Sequence, residues 1–246
     1  MSQDKRLTVL GHLAELRQRL IRSVIAVAIT SILAFIFRDQ ILKILISPAP
    51  ENIELIYIEM TEMIGTYMRV SLASGIILAM PYLTYHLVMF VSPALTSKEK
   101  RRVYLILPWV ALMFAAGVAF GYFILVPPAT KFLITFGSEI ATPQIKIGNY
   151  ISIVTRLLLG VGLVFELPVI STFLARLGII TPKWLSDKRK LAIIFAFILA
   201  AIITPTIDPV NQCLVAVPLI ILYEMSIWLA KLVQKKEKEE GHPVSA

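Results

Sequence analysis

Six long apolar runs constrain the fold of this chain more than any other feature. They lie near Leu20–Phe37, Val70–Val91, Val103–Val126, Ile151–Leu174, Leu191–Ile203 and Cys213–Ala230. The chain is 57% hydrophobic, and a soluble domain of 246 residues could not bury so much apolar surface. A run of about 20 apolar residues can cross the hydrocarbon core of a bilayer. Because the runs are continuous and do not alternate as barrel strands do, we predict an all-α membrane protein with six transmembrane helices.

The positions of the basic residues predict the orientation of these helices. Eighteen of the 24 Lys and Arg residues fall on one side of the predicted membrane, within residues 5–22, 98–102, 176–190 and 231–238. An excess of Lys and Arg marks the cytoplasmic loops of membrane proteins. We therefore predict that both termini are cytoplasmic. The net charge of +8 belongs to this face and does not indicate a nucleic-acid partner.

The last two runs are short for membrane spans. Leu191–Ile203 has thirteen residues, or about 20 Å at 1.5 Å per residue, against a hydrocarbon core of about 30 Å. The sixth run contains Pro218 and is interrupted by Glu224. We predict that the last two helices are short and thin the bilayer locally. We also predict one domain over residues 1–233 and a disordered cytoplasmic tail over 234–246, where Lys and Glu dominate.

The outer connections differ in length. The first, residues 38–69, contains the apolar stretch 41–46 and Thr61, a plausible N-cap for the second long helix. The second, residues 127–150, opens on Pro127-Pro128, which predicts that the third helix ends there. The third, residues 204–212, is a tight turn in which Asp208 beside Pro209 favours the turn.

Two glutamates lie within short basic stretches that border apolar runs. Glu15 can form an i,i+4 pair with Arg19, and that reading is favoured when the segment is taken alone. We expect this segment to be an amphipathic helix along the interface. Glu99 fits a capping box that begins at Thr96, although a capping carboxylate keeps free lone pairs. If the fold brings Glu15 and Glu99 together, they form a site for a cationic ligand on the inner face.

Glu166 lies deep within the fourth run, two residues before Pro168. An ionisable side chain inside a membrane is costly, so it indicates a functional residue. The alternative is a protonated side chain that bonds a neighbouring helix or a carbonyl freed by Pro168. We expect Glu166 to be neutral or sheltered, and to anchor the single transmembrane helix of a partner.

Motifs of known chemistry do not occur in the sequence. It contains no nucleotide-binding loop, no H-E-x-x-H, no G-x-S-x-G and no Cys/His cluster with metal spacing. We therefore predict neither an enzyme nor a cofactor or metal site. The rival function is a secondary transporter or channel with Glu166 on an ion path, but the internal repeats of such proteins are not evident. A purely structural scaffold is the third alternative.

Five motifs together resemble the TatC family, the multi-span core of the twin-arginine protein translocase. In chain order they are His12-Leu13-Ala14-Glu15-Leu16-Arg17-Gln18-Arg19; Phe90-Val91-Ser92-Pro93-Ala94-Leu95 followed by Glu99-Lys100-Arg101; Gly121-Tyr122-Phe123 before Pro127; Phe165-Glu166-Leu167-Pro168; and Thr204-Pro205 through Asp208. Each motif is weak alone, but this order on six spans is specific. The resemblance extends across nearly all of the chain.

The resemblance implies a receptor for signal peptides that carry two consecutive arginines on folded proteins bound for export. It implies a multi-pass protein of the bacterial inner membrane that draws on the proton-motive force, binds single-span partner subunits and forms homo-oligomers. Glu15 and Glu99 match the family's acidic recognition residues. The implied signal-peptide site comprises Glu15, Glu99, Arg17, Arg19, Phe90, Pro93, Leu95 and Arg101. Two carboxylates suit two guanidinium groups because each can accept a planar fork of donors, which an ammonium group cannot present.

Overall fold

The computed structural model describes residues 9–50, 54–91, 97–136, 142–176, 178–204 and 209–239 of the 246-residue chain. Within these ranges the side chains of residues 9–10, 91, 97–106 and 235–239 lie outside the description. The described chain is helical apart from two short strands and the connections.

The helices are α1 (Val9–Ile36), α2 (Arg38–Ile46), α3 (Glu62–Val91), α4 (Ser97–Phe120), α5 (Val126–Thr135), α6 (Ile147–Phe165), α7 (Leu167–Arg176), α8 (Pro182–Asp187), α9 (Arg189–Ile203) and α10 (Pro209–Glu239). A π-helical turn, Gly121–Leu125, joins α4 to α5. The strands β1 (Leu55–Ile56) and β2 (Ile145–Lys146) form a parallel pair in which Leu55 faces Ile145. The prediction of a mainly helical protein is confirmed.

Five helical segments of the described chain are long and apolar enough to cross a membrane. They are Gly11–Ile36, Glu62–Phe90, Leu107–Thr135, Ile147–Arg176 and Pro209–Gln234. The fifth predicted span corresponds to α9, which has 15 residues and a length of about 22 Å. Because α9 is shorter than the hydrocarbon core of about 30 Å, length alone does not identify it as a crossing.

The prediction that both of the last helices are short is right for α9 and wrong for α10. Helix α10 has 31 residues and contains Pro218 without a break. Glu224 does not interrupt it either, because its Oε1 lies 2.7 Å from Nε of Arg189 on α9 and the charge is paired. Helix α10 also extends to Glu239, past the predicted domain end at residue 233. The remainder of the predicted tail, residues 240–246, lies outside the described residues.

Two connections differ from the sequence expectation. The chain remains helical through Pro127-Pro128 because the π-helical turn precedes them and they occupy the first turn of α5, where a missing N–H costs little. The predicted end of the third helix at Val126 is therefore wrong. At the N-terminus, α1 is one continuous helix, not a separate interfacial helix followed by a span. The outer turn with Asp208 lies outside the described residues.

The first outer connection agrees more closely with expectation. The apolar stretch forms α2, and α3 begins at Glu62, directly after Thr61. Glu62 binds across the connection, since Oε2 accepts the Ile58 N–H at 3.0 Å and Oε1 accepts the Gly148 N–H at 3.2 Å. Arg69 donates to the Gly148 carbonyl at 2.8 Å. These bonds fix the strand pair to the N-terminal parts of α3 and α6.

Helix α6 lies at the centre of the packed core. Ile151, Val154 and Leu157 are fully buried. Helices α4 and α6 meet at two glycines: a Cβ added to Gly117 would lie 2.7 Å from Phe165 Cβ and 3.0 Å from the Gly162 Cα. Small residues permit such close approach of membrane helices. The core therefore holds α6 in place, and with it the buried Glu166 at its end.

Candidate functional site

The first part of the site is an ion pair on α1. Arg19 Nε donates to Glu15 Oε1 at 2.8 Å, and Arg19 Nη2 donates to the same oxygen. The side chains are 26% and 18% exposed, for Glu15 and Arg19 respectively. The i,i+4 pair that the sequence favoured is present. Glu15 Oε1 thus accepts both bonds from a guanidinium of the same helix, and Glu15 Oε2 takes no part in them.

Side chains of α3 complete the surroundings of this pair. The ring of His12 stacks on Phe90 with centroids 4.4 Å apart and an interplanar angle of 11°. His12 Nδ1 lies 4.0 Å from Glu15 Oε2, and Arg19 Nη1 lies 3.5 Å from His86 Nδ1. The first turns of α1 and the last turns of α3 therefore share one polar cluster, which we call the α1–α3 site: His12, Glu15, Arg19, His86 and Phe90.

A small groove borders the α1–α3 site. It has a volume of about 150 Å³, and its lining includes Leu16, Arg19, His86 and Phe90. His86 itself is buried at 6% exposure, and its Tyr82 and Tyr85 neighbours contact the ring edge to face. Among the described residues, the groove thus combines an apolar wall with one cation and one histidine, next to a carboxylate.

The structure describes the side chains of some of the other predicted site residues and not of the rest. Phe90 joins the α1–α3 site, and Arg17 is exposed on α1. Glu99 and Arg101 lie on the first turns of α4, but their side chains are outside the described residues, as are Pro93 and Leu95. Six peptide steps from Val91 to Ser97 span at most about 22 Å, so the start of α4 lies within that distance of the end of α3. The separation of Glu15 and Glu99 is not described.

Glu166 occupies a different environment, inside the helix bundle. It is 2% exposed and lies at the junction of α6 and α7, where the regular helix breaks before Pro168. Thr84 Oγ1 on α3 donates to Glu166 Oε2 at 2.7 Å. Glu166 Oε1 has no hydrogen-bond partner among the described residues. The carboxyl group therefore faces the protein interior and not lipid.

Sequence reasoning missed several of these contacts. Thr84 gave no signal because a threonine in an apolar helix is common, and its partner is 82 positions away. Glu62 had a recognisable signal, an acidic residue in the first turn of a helix, where it complements the helix dipole. The pair between Glu224 and Arg189 on α9 was also missed, because the two residues are 35 positions apart. The described residues contain no group of three or more His, Cys, Asp or Glu that could hold a metal ion.

Comparison with known proteins gives one consistent result. Residues 11–218 match the family model described as "Sec-independent protein translocase protein (TatC)". A curated protein of that description from Carboxydothermus hydrogenoformans is 42% identical over 236 residues, which is 96% of this chain and 97% of the relative. Another from Aquifex aeolicus is 42% identical over 233 residues, covering 93% of this chain and 96% of the relative.

A solved structure agrees with the sequence comparisons. The crystal structure of a protein described as a twin arginine translocase receptor, TatC, superposes with a TM-score of 0.81 at 42% identity. The match covers 91% of this chain and 99% of that chain. The helical membrane fold is therefore the same in both.

Proposed function

The chain belongs to the TatC family, and we propose that it is the signal-peptide receptor and core component of a twin-arginine translocase that exports folded proteins. A similar solved structure is described as that of the receptor, which supports this role. Members of the family are translocase components and not enzymes in the catalytic sense. The energy for export then comes from the proton-motive force across the membrane.

The proposal includes six crossings, with both termini in the cytoplasm of a bacterial inner membrane. Five crossings would place the termini on opposite sides, yet residues 5–22 and 231–238 are both rich in Lys and Arg. The positive-inside rule therefore favours an even number, and α9 is the sixth crossing. Since α9 is about 22 Å long, the bilayer beside it is thinned.

Glu15 and Glu99 bind the two guanidinium groups of the signal peptide in this proposal. The observation that carries it is the Glu15–Arg19 pair: this carboxylate already accepts a guanidinium beside a partly exposed groove. A peptide arginine can bind Oε2 or replace Arg19 on Oε1. Arg17, Arg19 and Arg101 disfavour ordinary basic segments by repulsion, while Phe90, Pro93 and Leu95 supply apolar contact. The chain length between α3 and α4 keeps Glu99 within reach of an extended peptide.

The test measures binding of a twin-arginine peptide to the purified protein and to its Glu15→Gln and Glu99→Gln variants. Each variant should lose about 1–3 kcal/mol of binding free energy, because a neutral amide accepts the guanidinium less strongly. A twin-lysine peptide should bind weakly to all three proteins. The control is Glu224→Gln, which removes a more exposed Arg–Glu pair between α10 and α9 and should leave affinity unchanged. Equal affinity for the two peptides would refute this site.

Glu166 is proposed as the polar anchor for a single-span partner subunit. Its Oε2 is bonded to Thr84 and its Oε1 has no partner among the described residues, so a polar group of a partner helix has one oxygen to bind. Because Glu166 is buried, the partner must separate α3 from the α6–α7 junction to reach it. An ion path through Glu166 is less favoured, since its described partner is one hydroxyl group and not a chain of titratable groups.

A further inference from the structure

A second groove lies elsewhere in the bundle, between α7, α8, α9 and α10. Its volume is about 430 Å³, within the range of about 300–1,000 Å³ that is typical of ligand sites. Its walls are apolar side chains such as Phe195, Leu199 and Leu219, and Lys188 is the one charged residue among the described residues of the lining. The α1–α3 site and Glu166 do not contribute to it. We call it the α9 groove.

The length of the α9 groove matches one leaflet of a bilayer. Along α9 its lining runs from Lys188 to Leu199, which is roughly 16 Å at 1.5 Å per residue. This is about half of an unthinned hydrocarbon core of about 30 Å, and about three quarters of the length of α9 itself. A transmembrane helix of a partner would therefore extend beyond the groove. A single acyl chain of a lipid needs only one leaflet.

Charge is concentrated at one end of the α9 groove. Lys188 lines this end, is exposed, and forms no ion pair within the described residues. Lys183 on α8 and Lys190 on α9 are also exposed, Asp187 offsets one charge, and Arg189 is paired with Glu224. Basic pockets between membrane helices on the cytoplasmic side bind anionic lipid headgroups. The groove therefore offers a cation to a headgroup and an apolar channel to its chain.

Aromatic side chains indicate that the charged end of the α9 groove lies at the membrane interface. Trp184 is 52% exposed and lines the groove, as expected for a residue of the interfacial aromatic belt. Tyr223 donates its hydroxyl to the Leu185 carbonyl at 2.7 Å, and Thr181 caps α8 by accepting the Trp184 N–H at 3.1 Å. The Tyr223 bond holds α8 against α10 and the Thr181 cap fixes the start of α8, so the charged end of the groove has a fixed shape.

We propose that the α9 groove binds one anionic phospholipid of the cytoplasmic leaflet, with its phosphate at Lys188 and an acyl chain along α9. The lipid fills the lateral surface beside the short helix, where a thinned bilayer packs poorly. This site is independent of signal-peptide recognition at Glu15. It uses the orientation proposed above but none of the peptide-binding residues.

Tryptophan quenching tests the proposal directly. The chain has three tryptophans, and a Trp109→Phe/Trp228→Phe background leaves Trp184 as the reporter in the groove. The full-length protein is reconstituted in phosphatidylcholine vesicles that contain increasing brominated phosphatidylglycerol or brominated phosphatidylcholine. Half-maximal quenching should occur at about a fivefold lower mole fraction of the anionic lipid.

Three variants locate the selectivity. Lys188→Gln should abolish the preference for the anionic lipid, and Ala192→Phe, which fills the groove, should abolish it as well. Lys231→Gln removes an exposed cation at the same membrane face outside the groove and should retain the preference. Equal quenching by both lipids in the parent protein, or a preference that survives Lys188→Gln, would overturn the proposal. The proposal would also be overturned if a single-span partner helix protected Trp184 from quenching by both lipids and no lipid preference were observed.

Discussion

Glu15 and Glu166 are glutamates on membrane helices of one chain, yet their environments differ in every respect that matters chemically. Glu15 is 26% exposed and bonds a guanidinium on its own helix, four residues away. Glu166 is 2% exposed and bonds a neutral hydroxyl on another helix, 82 residues away. A carboxylate beside water can exchange one cation for another at little cost. A buried carboxyl group is held by the fold, and its loss affects packing first.

The largest effect that tests this contrast is expected at Glu166. Glu166→Ala leaves a cavity and an unpaired Thr84 hydroxyl, so the free energy of unfolding should fall by about 2–3 kcal/mol. Glu15→Ala should change it by about 0.5 kcal/mol or less, because the pair is partly exposed. Equilibrium unfolding in mixed micelles measures both.

Two binding measurements on the same variants sharpen the result. Glu166→Ala should weaken association with a single-span partner and leave twin-arginine peptide affinity intact. Glu166→Gln keeps the volume and an acceptor for Thr84, so it should be mild in both respects. Loss of peptide binding in Glu166→Ala with normal partner association would reverse the assignment of the two glutamates.

The contrast was only half visible in the sequence. The positions of Glu15 and Arg19 define their pair, since helix geometry alone brings residues i and i+4 together. The buried position of Glu166 followed from its apolar run. Its bond to Thr84 could not be predicted, because it depends on how α3 packs against α6 and α7, and nothing local to either residue encodes that packing.

The helix boundaries show the same division between local and tertiary causes. The start of α3 after Thr61 was predicted correctly from local chemistry. Helix α10 was predicted too short because Pro218 and Glu224 were read as interruptions. The bundle tolerates the proline, and Arg189 pairs the glutamate from another helix. The side chain of Glu99, the second predicted carboxylate, lies outside the described residues, so its place beside Glu15 stays a prediction.

An intermediate effect is expected when the donor to Glu166 is removed. Thr84→Val keeps the shape of the side chain and deletes the hydroxyl, which should cost about 1 kcal/mol of unfolding free energy. In the Glu166→Ala background the same change should cost less, because the bond is already absent. A double-mutant cycle measures this coupling. Strictly additive costs would mean that Thr84 and Glu166 do not interact in the folded protein.

The smallest effect is expected at Arg19, and it separates an exchangeable pair from a structural one. Arg19→Gln should lower the unfolding free energy by about 0.5 kcal/mol or less, and the difference should shrink as salt rises from about 0.05 to 0.5 M, because salt screens a partly exposed ion pair. Arg17→Gln, which alters an exposed side chain on the same helix, is the matched control. Arg19 also contacts the buried His86 on α3, and this contact is what would make Arg19 structural and not exchangeable. If Arg19→Gln costs more than about 1 kcal/mol independently of salt, Arg19 holds α1 to α3 and does not readily give up Glu15. A small, salt-sensitive cost instead means that a peptide guanidinium can replace Arg19 on Glu15 without loosening the two helices.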